Sequence, residues 1–455
     1  MTLEWGAGRL RNARAGELLR RALSFARRDT NVVVASVVAI NLLRAVSSVI
    51  LTRLLVPEVF GIAGIIASVS FTFALMSDLG FQAFVVRHRD GDSRRFLDTI
   101  WTIALARSLL LTCVLATCAS PIASLIGKPE LAPLIAVSSL TFLLEGTASL
   151  TLLTALRRGM ILRLSALEVA VMVAQITAAT IFAYFWRSYW AVLTALLAST
   201  ALKSLLSYLA FPDSARRIAF DRGYARELWK FARFVTGSSM ITMVLMQGDK
   251  LILAGLMPLD RFGLYVLAGN LATAPLAFTS AYASRVLYPR YAQLWRDGGG
   301  DLRRKFYAMR KHPSLLYTFA AGGLIGSAPL IVSTLYDHRY ADAAVYLQLL
   351  AISAFFSLAS NAANEALTAT GRIRATFQAS VVKLIWLSVA IPTGWYLSGS
   401  FGIVAAMGSM EPAVVLFKWR QMHRASLLDL RQEAFFIAAG AAGAAVGAIA
   451  ALLLG

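Results

Sequence analysis

Residues 30–86 read TNVVVASVVAINLLRAVSSVILTRLL, then VPEV, then FGIAGIIASVSFTFALMSDLGFQAFVV, so that two apolar stretches, 30–55 and 60–86, are joined by 56–59 alone. Each stretch is longer than the roughly 20 apolar residues that a helix needs to cross the hydrocarbon core of a bilayer. A surface helix of a soluble domain would carry a polar face along its whole length. The segment therefore predicts two membrane-spanning helices joined by a tight turn.

The same pattern continues along the chain of 455 residues, of which 58% are hydrophobic and 15% are charged, against about 25% charged in soluble domains. We predict spans near 30–55, 60–86, 97–126, 131–156, 161–186, 188–211, 231–256, 262–288, 313–335, 342–370, 373–397, 400–423 and 434–454. Prolines interrupt the stretches around Pro121 and Pro392, which allows a kinked helix there rather than a straight one. The fold class is thus an all-α polytopic membrane protein with about thirteen transmembrane helices.

The basic residues support this topology. Of the 44 Lys and Arg residues, 34 lie in every second connection, and the opposite connections hold only Lys128, Arg187, Arg261 and Arg339. Because cytoplasmic connections collect Lys and Arg, the N-terminus is predicted in the cytoplasm and the C-terminus outside. The formal charge of +20 then reflects membrane topology, and no nucleic acid is expected as a partner.

An internal repeat divides the chain. Leu55-Val56-Pro57 with Phe60-Gly61-Ile62 is echoed six spans later by Leu256-Met257-Pro258 with Phe262-Gly263-Leu264. Six is even, so both copies insert the same way up, which predicts two six-helix lobes related by a pseudo-two-fold axis along the membrane normal, plus an extra C-terminal helix. The predicted domains are a basic cytoplasmic arm (1–29), an N-terminal lobe (30–211), a cytoplasmic linker (212–230), a C-terminal lobe (231–423), and a linker with the additional helix (424–455).

The additional helix carries Gly440, Gly443 and Gly447 among alanines. Gly443 and Gly447 have the small-xxx-small spacing that lets two helices approach closely. This pattern indicates a packing helix, with either the bundle or a second copy of the chain as its partner.

Signatures of soluble enzymes are absent from the sequence, which has no Walker loop, no HExxH and no metal-spaced Cys/His set. Asp90-Gly91-Asp92 resembles the acidic pair of some sugar transferases, but it lies in a short loop crowded by arginines, so we interpret it as a turn with local ion pairs. The outward connections are too short for an outer catalytic domain. We predict no catalytic residue, no metal and no cofactor.

Charges inside the predicted spans are the candidate functional residues, since each costs about 2.5–3.5 kcal/mol at a helix centre. The cations are Arg44, Arg53, Arg107, Lys203, Lys250 and Lys383, and the acids are Asp78, Glu145, Glu168, Asp249, Glu365 and Glu411. Lys203, Glu168 and Glu365 lie near the inner ends, where they reach headgroup water.

Arg44, Arg107, Lys250 and Lys383 come from both predicted lobes, which suits a cavity between the lobes that binds a phosphate or an acidic sugar. Arg53 lies near the outer boundary and either joins this set or only anchors its helix. In the alternative interpretation the cations pair with Asp78, Glu145, Asp249 and Glu411 as structural bridges. These four acids are also the candidates for proton or sodium coupling.

The motifs resemble the polysaccharide-transporter branch of the multidrug/oligosaccharidyl-lipid/polysaccharide exporter superfamily. The resemblance covers about 30–425 and rests on LTRLLVPEVFG at 51–61, SDLGF at 77–81, GDKLIL at 248–253 and FGLY at 262–265. It implies a flippase of two six-helix lobes in a V in the bacterial inner membrane. Its substrate would be an undecaprenyl-pyrophosphate-linked oligosaccharide, moved by alternating access, with a polysaccharide polymerase and other assembly proteins as further partners. Thirteen spans depart from the twelve or fourteen that many members of the family have.

Two other functions fit the sequence less well. A cation-coupled multidrug exporter of the same superfamily would favour acidic residues in its cavity over the cations seen here. A membrane polysaccharide polymerase or ligase would need a sizeable outer loop with catalytic residues.

Overall fold

The computed structural model describes residues 29–211, 213–296 and 301–454, and the basic arm predicted at 1–29 lies outside them except for its last residue. In the first half the helices are α1 (Asp29–Leu54), α2 (Pro57–Met76), α3 (Phe81–Arg87), α4 (Arg94–Leu125), α5 (Ala132–Ser138), α6 (Leu140–Thr147), α7 (Thr151–Arg157), α8 (Ile161–Trp186), α9 (Tyr189–Leu209) and α10 (Arg222–Leu256). In the second half they are α11 (Leu259–Tyr282), α12 (Tyr288–Arg296), α13 (Leu302–Gly326), α14 (Ala328–Leu335), α15 (Ala343–Ala369), α16 (Ile373–Gly408), α17 (Met410–Arg424) and α18 (Leu430–Leu454).

Helices make up the whole regular structure of these residues, and no β-strand occurs among them. Ten helical stretches are long and apolar enough to cross a membrane, or up to twelve if each of two bent helix pairs is one span. The prediction of an all-α, multi-pass membrane protein is therefore confirmed, whereas the number of thirteen spans stays a prediction.

Several predicted spans are interrupted. The span predicted at 60–86 ends as a helix at Met76, because Gly80 has φ 69° and Asp78 accepts a hydrogen bond from the Gly80 amide at 2.8 Å. The span predicted at 131–156 is divided into α5, α6 and α7. α13 and α14 meet at an angle of 66°. At the first of these breaks a local side-chain bond and a positive-φ glycine end the helix where hydropathy alone would continue it.

The helical stretch Arg374–Arg424 is 51 residues long and contains a break. Ser398 (φ −148°, ψ 20°) and Gly399 (φ 58°, ψ −138°) lie outside the helical region, so the break comes after Pro392 rather than at it. Gly394 and Gly402 then pack backbone to backbone with no room for a Cβ atom on either. The spans predicted at 373–397 and 400–423 correspond to the two arms of this hairpin.

The chain divides into two compact units. Unit 1 consists of Met1–Leu51 and Val69–Val244, and unit 2 of Thr52–Ser68 and Leu245–Gly455. In unit 1, Phe84, Phe96 and Ile100 are the centre of a buried cluster. In unit 2, Leu287, Tyr291, Phe306 and Leu367 have the same role. The five predicted domain ranges stay a prediction.

The two copies of the repeated motif meet inside unit 2. A Cβ atom on Gly61 would clash with the Leu259 carbonyl, and one on Gly263 would clash with the Pro57 carbonyl. The first turns of α2 and α11 therefore approach each other through reciprocal glycine contacts. Leu55, the residue that follows α1, accepts a hydrogen bond on its carbonyl from the Tyr340 hydroxyl at 2.8 Å, which fixes this junction further.

The last helix, α18, packs on α13 within unit 2. Gly440 faces Gly322, Gly443 faces the Phe319 carbonyl, and Gly447 faces the Gly323 carbonyl, with no room for a Cβ atom at any of the three. The sequence allows two partners for these glycines, the bundle or a second copy of the chain. In the structure they contact the bundle, through α13. Small residues allow this backbone contact, which maximises dispersion attraction between helices in lipid.

Candidate functional site

The intramembrane charges of unit 1 begin with Arg107 in α4. Its Nε donates to the Ser77 carbonyl at 2.6 Å, and its Nη2 donates to the Ala74 carbonyl at 3.0 Å and to Ser77 Oγ at 2.8 Å. These carbonyls belong to the last turn of α2 and the residue after it, where helical acceptors have no partner in the helix itself. Arg107 therefore caps α2 and is half-buried in doing so.

Asp78 connects the same turn to α10. Its carboxylate accepts from Ser239 Oγ at 2.9 Å as well as from the Gly80 amide, and its carbonyl accepts from Thr236 Oγ1 at 2.7 Å. Within the described residues it makes no ion pair. Asp78 thus holds a helix junction through neutral donors.

Glu145 in α6 is exposed on unit 1, and the cations nearest to it are Lys203 and Arg107. No ion pair of Glu145 with either is present in the described part of the chain. Arg44 in α1 is exposed on the same unit, and it too has no ion pair with a described carboxylate. These two side chains are available to a ligand or to water.

In unit 2 the tyrosine hydroxyl of Tyr265 in α11 donates to Asp249 in α10, and the Tyr265 side chain is 3% exposed. The neighbouring Lys250 is half-buried, and no described carboxylate forms an ion pair with it. Gln247 is 8% exposed, and its Oε1 has no hydrogen-bond partner among the described residues. Arg53, in the last turn of α1, is exposed and likewise has no ion pair with a described residue.

Lys383 and Glu411 form a bridge between α16 and α17 at 2.9 Å. This is the structural pairing that the sequence left as the alternative to ligand binding. Glu411 is mostly buried, with 14% of its side chain exposed against 25% for Lys383. The pair joins the two arms of the helical hairpin, so Lys383 has a carboxylate partner of its own.

Lys418 is the first functional candidate that sequence reasoning missed. The charge count includes it among the 34 basic residues of the connections, but it lies within α17, is 7% exposed, and donates to Ser360 Oγ at 2.9 Å and to the Ser360 carbonyl at 3.2 Å. The available signal was its spacing, because seven residues separate it from Glu411 and residues seven apart share one helix face.

Arg310 and Glu433 are the second omission. They form a buried ion pair between α13 and α18, with side chains 4% and 3% exposed. Glu433 also accepts from the Tyr307 hydroxyl at 2.7 Å, and the Arg310 guanidinium lies over the Tyr307 and Phe436 rings. The sequence assigned Arg310 to a basic cytoplasmic connection, since nothing in a run of arginines distinguishes the one that is buried.

The Asp90-Gly91-Asp92 segment forms the turn with local ion pairs that the sequence predicts. Asp92 accepts from Arg157 Nε and Arg158 Nε at 2.9 Å each, and Asp90 accepts from the Tyr224 hydroxyl at 3.1 Å. The bonds from Arg157 and then Arg158 lower the pKa of the Asp92 carboxyl below its ordinary value. The segment is therefore a structural turn of unit 1.

Chemically, the described charges fall into two groups. Arg107 and Lys383 are hydrogen-bonded to protein acceptors, whereas Arg44, Arg53 and Lys250 have no ion pair with a described residue and offer donors to an external anion. Arginine and lysine donors bind phosphate and carboxylate groups through charge-assisted hydrogen bonds. The convergence of all five cations on one cavity stays a prediction.

Comparison with known proteins gives a family and a fold. A family model described as "Polysaccharide biosynthesis protein" matches residues 50–345. The lipopolysaccharide biosynthesis protein WzxC of Escherichia coli (strain K12) is 22% identical over 371 residues, which cover 81% of this chain and 75% of that protein. The amylovoran biosynthesis protein AmsL of Erwinia amylovora is 24% identical over 315 residues, 68% of this chain and 80% of that protein.

Among solved structures, the lipid II flippase MurJ in an inward closed conformation matches with a TM-score of 0.69 at 11% identity, covering 94% of this chain and 93% of that chain. An inward-facing multidrug transporter of the MATE family matches with a TM-score of 0.61 at 14% identity, covering 85% and 95%. At these identities the likeness shows the fold alone, and that fold is the one shared by MurJ and MATE transporters.

Proposed function

Because the chain belongs to the family of polysaccharide biosynthesis proteins, we propose that it is a flippase for a lipid-linked oligosaccharide. The substrate would be an undecaprenyl-pyrophosphate-linked repeat unit of O antigen, capsule or exopolysaccharide, moved across the bacterial inner membrane by alternating access. The observation that carries this proposal is the family match over residues 50–345. The N-terminus would lie in the cytoplasm, as the distribution of basic residues predicts.

The names of the relatives and the fold support a transporter rather than an enzyme. WzxC and AmsL are named for lipopolysaccharide and amylovoran biosynthesis, and the structural match named for a flippase acts on lipid II. Flipping breaks no covalent bond. It requires a hydrated path, because moving the hydroxyl groups of a sugar into hydrocarbon without hydrogen bonds costs several kcal/mol per group.

Within this proposal the five basic residues have different roles. Arg44, Arg53 and Lys250 would contact the pyrophosphate or acidic sugars, since no described carboxylate pairs with them. Arg107 and Lys383 would act on the substrate through the helices that they hold, at Ser77 and Glu411. Asp78, Glu145, Asp249 and Glu411 remain the candidates for proton or sodium coupling, and of these Glu145 is the exposed one.

The polyprenyl tail would stay in the lipid bilayer, and a polymerase with other assembly proteins would take the repeat unit on the outer side.

The test is complementation of a strain in which the native gene is deleted. We expect loss of surface polysaccharide with accumulation of the lipid-linked repeat unit on the cytoplasmic side, both restored by the chain. Single repeat units that reach the outer leaflet in the deletion strain would instead indicate a polymerase or ligase. Drug sensitivity with normal polysaccharide would indicate a multidrug exporter.

A further inference from the structure

Unit 1 contains a polar cavity of about 540 Å³ at the end where the candidate span Arg94–Leu125 begins. It lies where α4 begins, where α7 ends, and beside the connection between α9 and α10. Its lining consists of Asp92, Arg94, Leu97, Thr154, Arg158, Asp213, Ser214, Ala215 and Arg216. This end of the unit carries the basic connections that the sequence predicts to be cytoplasmic.

The wall of the cavity is held in place by side chains that bond its backbone. The Ser214 carbonyl accepts from Ser149 Oγ at 2.8 Å, the Arg217 amide donates to Asp98 Oδ1 at 3.3 Å, and the Ala219 amide donates to Thr102 Oγ1 at 3.0 Å. Bonds on both sides of Arg216 therefore fix the position of its backbone. These hydrogen bonds hold the segment in a defined position on one side of the cavity.

The carboxylates of the cavity are already engaged. Asp92 accepts from Arg157 and Arg158 at 2.9 Å each, and Asp213 lies 3.7 Å from Arg158. Asp98, which attracts Arg216, uses its Oδ1 for the Arg217 amide. The carboxylates thus form their ion pairs with Arg157 and Arg158, whereas Asp98 and Asp213 attract Arg216 without an ion pair to it among the described residues.

Arg216 and Arg94 have N–H donors without a hydrogen-bond acceptor among the described residues. A guanidinium has five N–H donors, yet the Arg216 side chain makes one described bond, from Nη1 to the Ala215 carbonyl at 3.2 Å. Its Nε is buried and has no hydrogen-bond partner among the described residues. Burial lowers the pKa of Arg216; Asp98, Tyr208 and Asp213 oppose this shift, and repulsion from Arg94 adds a smaller decrease. Arg94 is exposed and forms no ion pair with a described residue.

Two guanidinium groups that repel each other across a polar cavity, one with a buried unsatisfied donor, are the arrangement that an anion completes. We propose that this cavity binds a phosphate group between Arg94 and Arg216. The phosphate belongs to an anionic lipid headgroup or to free phosphate, because both present the same oxygens to the arginines. The start of α4 adds the partial positive charge of a helix N-terminus.

The full-length protein, purified in detergent and stripped of lipid, tests the proposal with two probes. Native mass spectrometry measures binding of phosphatidylglycerol against phosphatidylcholine, and the thermal unfolding midpoint measures inorganic phosphate against chloride at constant ionic strength. The variants are Arg216→Gln and Arg94→Gln. Arg89→Gln is the matched control, because it removes one exposed positive charge from the same end of the unit without touching the cavity.

We expect each cavity variant to weaken binding about tenfold, the effect of losing one charge-assisted hydrogen bond, and the control to bind as the native protein does. Binding of phosphatidylglycerol alone would identify a lipid headgroup as the source, and binding of both probes would identify a general phosphate site. Arg94 is exposed at the first position of α4, so its variant tests the site even if Arg216→Gln lowers stability.

Two results would overturn the proposal. One is equal weakening by Arg89→Gln, which would indicate diffuse attraction to the surface. The other is unchanged binding in both cavity variants. Neither measurement involves transport. A negative binding result would therefore not contradict the flippase proposal, and a negative complementation result would not contradict the binding site.

Discussion

The buried pair of Arg310 and Glu433 makes the sharpest prediction. Glu433→Gln removes one charge and leaves Arg310, 4% exposed, without a counter-charge. Breaking a buried pair by removing one partner costs about 3–5 kcal/mol. The Tyr307 hydroxyl keeps an acceptor in the glutamine, so the lost free energy reports the charge and not the hydrogen bond.

The assay is thermal unfolding of the purified protein in detergent. At roughly 2–4 °C per kcal/mol for a domain of 150–250 residues, the midpoint should fall by about 10 °C. The matched control is Asp342→Asn, which breaks the Arg261–Asp342 pair at 2.6 Å. Those side chains are 48% and 63% exposed, so the expected cost is about 0–1 kcal/mol.

A double variant completes the test. Arg310→Met with Glu433→Leu replaces both charges by apolar side chains of similar length, and such replacements are often neutral or stabilising. We expect the double variant to regain most of the stability that Glu433→Gln loses. A double variant less stable than the single one, or a Glu433→Gln protein as stable as the native one, would refute the account of α18 given above.

Three further predictions concern other parts of the molecule. Gly443→Val should displace α18 and lower the unfolding midpoint and protein level, whereas Ala445→Val, on the exposed face of the same helix, should not. The lowered pKa of Asp92 contributes stability that is present above the ordinary value of about 3.9 and is lost as the pH falls through the folded value. The Asp92→Asn protein should therefore lose less stability than the native protein between pH 6 and pH 3; unfolding measurements at both pH values should give a difference of less than about 1 kcal/mol at so exposed a site. Arg107→Gln should lower protein level with polysaccharide in proportion, and Arg44→Gln should lower polysaccharide at an unchanged protein level, as immunoblots and surface polysaccharide assays on the same cells would measure.

The sequence predicts the fold class because the signal for a membrane helix is local. The stretch predicted at 30–55 is α1 at Asp29–Leu54, and the one predicted at 161–186 is α8 at Ile161–Trp186. Length and hydropathy decide both, with no tertiary contact needed. Where side chains end a helix early, as Asp78 and Gly80 do after α2, hydropathy continues past the true boundary.

The roles of the charges were less predictable, because they depend on neighbours distant in the chain. Arg107 meets carbonyls 30 and 33 residues away. Hydropathy predicts the depth of Arg107 in the membrane, but it gives no information on its contact with the end of α2. The pairing of Lys383 with Glu411 is one of the two interpretations that the sequence allows, and the hairpin around Ser398 and Gly399 brings the two side chains to 2.9 Å.

The contact between α13 and α18 also imposes an order on synthesis. Arg310 precedes Glu433 by 123 residues, so at about 5–20 residues per second the ribosome takes roughly 6–25 s to deliver the counter-charge. During that interval Arg310 has been synthesised and its partner Glu433, in α18, has not. Quality-control proteases that recognise an unshielded charge would therefore act within this window, and translational pausing between the two helices would lengthen it.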